Sequence, residues 1–95
     1  MIARLSKAAT ADIRSIATWI AKDRPIVARR IALEVQAACR ALGDTPEAYP
    51  KAKGVLDGLF RRRPLGRYTI YYRVLPDEVL VVRIVDGARD ATDLL

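Results

Sequence analysis

The chain of 95 residues has no histidine and a single cysteine, Cys39. Without an imidazole, no side chain carries an unperturbed pKa between about 5 and 8. A Ser-His-Asp triad and a Cys-His pair are both excluded, as is a zinc site of Cys and His ligands. One cysteine allows no disulfide within the chain. Glycine-rich phosphate motifs are missing too: neither G-x-G-x-x-G nor G-x-x-x-x-G-K-[ST] occurs. Long apolar runs are equally scarce. The start, MIARLSKAATAD, lacks the apolar stretch of a signal peptide, and the most apolar segment, VLVVRIV, is cut by Arg83 well short of the roughly 18 residues that span a bilayer. The expectation is a protein of the reducing cytoplasm, with no membrane segment and no cofactor.

What is present is a globular composition, 52% hydrophobic and 29% charged, in a chain sized for one domain, residues 1–95. A domain this small buries only about 60–65% of its unfolded surface, so its core is thin and a partner protein could add cover. Lysine and arginine number 17 against 11 acidic residues, a net charge of +6. All of the imbalance lies between Lys51 and Arg73, where seven basic residues (Lys51, Lys53, Arg61, Arg62, Arg63, Arg67 and Arg73) face one acid, Asp57. A focused basic patch attracts phosphate or an acidic protein surface, and arginine is the residue suited to bidentate recognition of both.

Hydropathy periods divide the chain in two. Ile2 to Leu5 reads as a first or edge strand. Ser6 is a natural N-cap for a helix over Ala8 to Lys22, with Ile13, Ile16, Ala17 and Ile20 on one stripe and Trp19 at its margin. Pro25 opens a second helix whose face carries Ala28, Ile31, Val35, Ala38 and Leu42, and Gly43 fits a left-handed C-terminal cap. So short a connection makes the helices an antiparallel hairpin. Asp44 to Gly58 is a long loop, of a length often used for function. Beyond it the period falls to two. Leu59–Pro64, Arg67–Leu75 and Glu78–Val85 read as a meander turned at Leu65-Gly66 and Pro76-Asp77. The third of these is apolar on both faces, as a central strand is. The expected fold is α+β, ordered β-αα-βββ, with the helical hairpin on one face of a small antiparallel sheet and the other face open.

Each candidate site residue has a structural alternative. As Phe60 shares a face with Arg62, Arg61 and Arg63 are assigned to the open side, unless they are only edge-strand charges that prevent aggregation. Arg67 and Arg73 extend that basic face. Tyr68 and Tyr71 are candidate aromatic contacts beside arginines, although tyrosines in strands more commonly pack. Arg83 among valines reads first as a buried, paired arginine. Cys39 reads as a small core residue. Asp86, Asp90 and Asp93 have no metal-ligand spacing and read as a solvated tail.

The segments Gly66-Arg67-Tyr68-Thr69-Ile70-Tyr71-Tyr72-Arg73-Val74 and Arg83-Ile84-Val85-Asp86-Gly87-Ala88-Arg89-Asp90 resemble the ParE branch of the ParE/RelE toxin superfamily of bacterial type II toxin–antitoxin systems. Leu5-Ser6-x-x-Ala9-x-x-Asp12-Ile13, Pro25-x-x-Ala28-Arg29 and Pro46-Glu47 fit the same pattern, in order, over essentially the whole chain. Asp86 stands where the family often has histidine. The resemblance implies a toxin that poisons DNA gyrase by binding, without catalysis, held in a hetero-oligomer by a cognate antitoxin. RelE-like relatives are instead ribosome-dependent mRNA endonucleases. Their strand lysines would fall near Arg61 and Arg63, their late arginine at Arg89 and their terminal tyrosine at Leu95, which cannot exchange a proton. A basic module that binds nucleic acid without toxicity is the remaining alternative. The candidate target-binding face is thus Arg61, Arg63, Arg67, Arg73 and Arg89.

Overall fold

The computed structural model describes residues 1–52 and 58–87. Their elements are β1 (Ile2–Leu5), α1 (Lys7–Ala21), α2 (Pro25–Ala41), β2 (Arg61–Leu65), β3 (Tyr68–Val74) and β4 (Glu78–Asp86), the expected β-αα-βββ order. The tail Ala88 to Leu95 lies outside the described residues.

Helix α1 starts where its cap requires. Ser6 is extended, and its Oγ accepts the Ala9 N–H at 3.0 Å. The same hydroxyl donates to the Val82 carbonyl at 2.7 Å, so one side chain both caps the helix and ties it to β4. Ile13 is buried, with Ile16, Ala17 and Ile20 half-buried along the stripe. Pro25 opens α2, which buries Ala28, Val35, Ala38 and Cys39. The main core lies between this hairpin and the sheet, where Leu42, Ile70, Tyr72, Val79 and Val81 are almost fully shielded from solvent.

Gly43 does not adopt the left-handed cap conformation expected of it; among the described glycines only Gly58 and Gly66 have positive φ. Its reason is contact. A Cβ on Gly43 would lie 2.1 Å from the Met1 carbonyl oxygen, so the absent side chain lets the start of β1 pass directly over the end of α2. The first hairpin turn is Gly66-Arg67, one residue later than expected, with Gly66 at φ 58° supplying the left-handed position.

The sheet is mixed, in the order β1-β4-β3-β2. Its β2-β3-β4 part is the expected antiparallel meander, but β1 joins β4 in parallel, Ile2 opposite Glu78 and Leu5 opposite Val81. This places β4, the most apolar strand, between two neighbours, where both its edges and both its faces are covered. A bulge follows: Tyr71 lies opposite Arg83 and Tyr72 opposite Val81, which leaves Val82 as an extra residue in β4.

Among the described residues no strand lies beside the edge of β4 beyond Leu5, and a carboxylate from α1 binds there. Asp12 accepts the Ile84 N–H at 2.9 Å and the Arg83 guanidinium at 2.8 and 2.9 Å. Arg83 is therefore the paired, mostly buried arginine that its valine-rich setting indicated.

The far face of the sheet is not open. Phe60, Tyr71, Val85 and Ala52 form a second buried cluster there, with Val82 against it. The expectation failed because one segment of the long loop, around Ala52 and Phe60, folds back over that face. Two apolar layers thus sandwich the sheet, one large and one small. Among the described residues no helix is long and apolar enough to cross a membrane.

Candidate functional site

The basic residues of 51–73 divide between the two sides of the sheet. Residues directly opposite on paired strands share a face. Arg61 lies opposite Tyr72 and Arg63 opposite Ile70, both core residues, so Arg61 and Arg63 project on the helix side, contrary to the expected far side. The pairing of Phe60 with Arg62 on one face was right, but Phe60 fills the smaller cluster rather than the main core. Arg62, opposite Tyr71, is the far-side residue.

On the helix side, β2 is an edge strand that projects beyond the hairpin, and the loop after α2 lies alongside it. Arg61 Nη1 donates to the Tyr49 carbonyl at 2.7 Å. The Arg63 guanidinium sits 5.1 Å from the Tyr49 ring centre and donates to the Pro64 carbonyl at 2.7 Å. Lys51 pairs in antiparallel register with Arg61 and so joins the same face. Beneath these groups the Tyr72 hydroxyl donates to the Pro46 carbonyl at 2.9 Å.

The remaining candidates lie elsewhere. Arg67 is ion-paired with Asp86 at the first hairpin turn, its Nε 3.0 Å from Oδ2. Arg73 packs over the Phe60 ring on the far side, centroid distance 5.9 Å. Tyr71 is 8% exposed within the far-side cluster, which removes its ring as a stacking platform. Tyr68 is half-buried on the helix side, under the Arg67 guanidinium. Arg89 lies outside the described residues. The five arginines expected on one face therefore do not form one: Arg61 and Arg63 converge with Lys51 around Tyr49, while Arg67 and Arg73 face other surroundings.

Sequence reasoning missed two features. Tyr49, in a loop without periodicity, carried no signal of its place under Arg63. The other is a groove of about 560 Å³ between the far end of the helical hairpin and the sheet, where Ile16, Trp19 and Ile31 share the lining with the charged Asp23, Arg24 and Arg67. Trp19 at the stripe's margin was its one trace. It is 71% exposed, as Ile26 at the start of α2 is 85%.

Two protonable groups beneath the basic surface, Tyr72 and Cys39, are enclosed in the core. Burial pushes the Tyr72 hydroxyl above its ordinary value against the opposing charge of Arg61. Burial likewise raises the Cys39 thiol to about 11, although Arg63 and Arg40 pull the other way. Both groups are closed in the core and protonated at neutral pH. Arginine itself does not deprotonate in proteins. Among the described residues no group of three or more His, Cys, Asp or Glu could hold a metal ion. Such a surface can bind anions, and beside the Arg63 guanidinium it also carries the Tyr49 phenol.

Residues 3–91 match the family model described as the ParE toxin of the type II toxin–antitoxin system, parDE. The chain belongs to the ParE toxin family. The fold agrees: a solved structure of a chromosomal ParDE toxin–antitoxin system from P. aeruginosa superposes with a TM-score of 0.75 over 86% of this chain and 90% of that one, at 17% identity. No curated protein matches the sequence.

Proposed function

We propose that this ParE-family chain is a toxin that acts by binding and not by catalysis: it holds DNA gyrase on its cleaved DNA, and a cognate antitoxin neutralises it in a cytoplasmic hetero-oligomer. The observation that carries this reading is the basic surface at β2, where Arg61 and Arg63 meet Tyr49 and Lys51 lies in register beside Arg61, in a chain without histidine. Cleavage of RNA needs a proton donor and acceptor at the scissile phosphate. The two core groups closest to those arginines, Tyr72 and Cys39, have had their pKa values raised by burial and are sealed from solvent.

The antitoxin part of the proposal draws on the groove. Trp19 and Ile26 are large apolar side chains left in water, Trp19 at a groove lined by both apolar and charged residues. A segment that folds as it binds would cover them with an amphipathic face. The ParDE system of P. aeruginosa, of the same fold, is a toxin–antitoxin system.

The test is a cleavage reaction with purified gyrase, ATP, supercoiled plasmid and the full chain, scored for linear DNA after protein digestion. Linear product that accumulates with toxin and disappears with antitoxin is the expected result. An unaffected gyrase, together with cleavage of mRNA on translating ribosomes, would refute it.

A further inference from the structure

Ion pairing separates the arginines of this chain into two groups. Those at positions 4, 30, 67 and 83 each hold a carboxylate: Glu78, Glu34, Asp86 and Asp12. Arg61 and Arg63 do not ion-pair with any carboxylate among the described residues. They are bound instead to backbone carbonyls, Arg61 to Tyr49 and Arg63 to Pro64. Carbonyl bonds orient a guanidinium without neutralising it, and each uses one of five N–H donors. Both side chains are half-buried, so much of their conformational entropy is already lost before any ligand arrives. Among the described residues these two oriented cations meet no carboxylate, and their remaining N–H donors can take an anion.

We infer that Arg61 and Arg63, with Lys51 beside them, form a clamp for the phosphodiester backbone of a DNA strand. This rests on the gyrase reading and specifies what the basic edge would hold in the cleaved complex: DNA itself, not the enzyme. Alternate residues of a strand are about 6.7 Å apart, comparable to the step between successive phosphates of a nucleic-acid strand, so the two guanidiniums can each take one. Lys51, in register with Arg61, adds a third cation on the same face. An acidic peptide is the poorer fit. A peptide of that kind would dock by strand addition at β2, and that edge is obstructed. The segment Pro50–Ala52 already pairs there, with Arg62 N–H on the Pro50 carbonyl at 3.1 Å and Ala52 N–H on the Phe60 carbonyl at 2.8 Å. Farther along, Pro64 has no N–H to offer.

The test compares two double variants of equal charge. Arg61→Gln with Arg63→Gln removes the clamp; Arg62→Gln with Arg73→Gln removes two arginines from the opposite face. Each full-length protein is titrated onto a short fluorescein-labelled DNA duplex by anisotropy over a range of salt, with thermal melts to establish folding. Each phosphate contact contributes about −0.9 to the slope of log K against log salt. The clamp variant is expected to lose about 2 from the magnitude of that slope and roughly tenfold or more in affinity at low salt, while the far-face variant keeps the wild-type slope. Equal losses in both variants would overturn the proposal, since the effect would then be one of net charge. So would tighter binding of a labelled acidic peptide, or of RNA, than of DNA at this pair. The gyrase reaction separates the two readings. A wild-type chain that poisons gyrase beside an Arg61→Gln, Arg63→Gln chain that poisons equally well refutes the clamp and leaves the toxin assignment intact. A wild-type chain that binds DNA through the pair but leaves gyrase unaffected refutes the gyrase reading instead.

Discussion

Replacing Asp12 with alanine is expected to be among the more damaging changes in this protein. Its carboxylate holds the Arg83 guanidinium at 2.8 and 2.9 Å and the Ile84 N–H at 2.9 Å. The two side chains are 22% and 15% exposed, so the ion pair is mostly, though not wholly, desolvated. Breaking a buried pair by removing one partner costs about 3–5 kcal/mol, and residual exposure lowers this to about 2–3 kcal/mol. The backbone N–H of Ile84 left without its acceptor adds about 1 kcal/mol. A loss of about 3–4 kcal/mol is a large part of the 5–15 kcal/mol that holds a typical domain together. With a urea m-value of about 1.5 kcal/mol/M, the unfolding midpoint should fall by roughly 2 M. Asp12→Asn keeps an oxygen for Ile84 and loses only the charge, so it should fall about half as far. Because Asp12 and Arg83 act as a unit, Asp12→Ala combined with Arg83→Met should cost less than the two single changes together, with a coupling of about 1.5 kcal/mol or more. Urea unfolding followed by circular dichroism gives all four stabilities. A midpoint for Asp12→Ala within about 0.5 M of wild type, or additive single variants, would refute this account of how the β4 edge is closed.

Two further changes probe the same framework. Gly43→Ala would place a Cβ 2.1 Å from the Met1 carbonyl, so β1 must shift, and a cost of about 1–3 kcal/mol should lower Tm by several degrees or more; an unchanged melt would show that β1 does not cross there. The Cys39 thiol, raised by burial from 9.0 to about 11, favours folding by staying neutral. A folded pKa above the unfolded one means that this contribution is complete below about pH 9 and is lost as pH rises towards 11, at about 1.4 kcal/mol per unit. Urea midpoints measured across that range should fall more steeply for wild type than for Cys39→Ala, and parallel curves would refute the assignment.

The local elements were legible because they follow from chemistry that neighbouring residues share. Ser6 before an apolar stripe of period 3.6 caps a helix wherever that stripe finds a core. Pro25 opens the next helix, and alternation from Tyr68 to Val74 marks a strand with Tyr68, Ile70, Tyr72 and Val74 on one face. The order β-αα-βββ, the paired state of Arg83 and the buried thiol of Cys39 followed from the same reasoning. The family resemblance was carried by those segments as well.

Tertiary structure decided what alternation leaves open. A period of two sorts Arg61 and Arg63 from Arg62, but it cannot say which set looks toward the helices. Phe60 shares a face with Arg62, and a lone large apolar residue ordinarily marks the main core. Here it marks a second, smaller core, because the loop around Ala52 folds over the far face and buries Tyr71 as well. Position along the chain likewise does not tell a strand which neighbour it will have. That β1 lies parallel to β4 depends on contacts between residues more than 70 positions apart, Ile2 with Glu78 among them. The same distance separates Asp12 from Arg83. Charge and period belong to the sequence; which charges meet, and which are left waiting for an anion, is settled only by long-range packing.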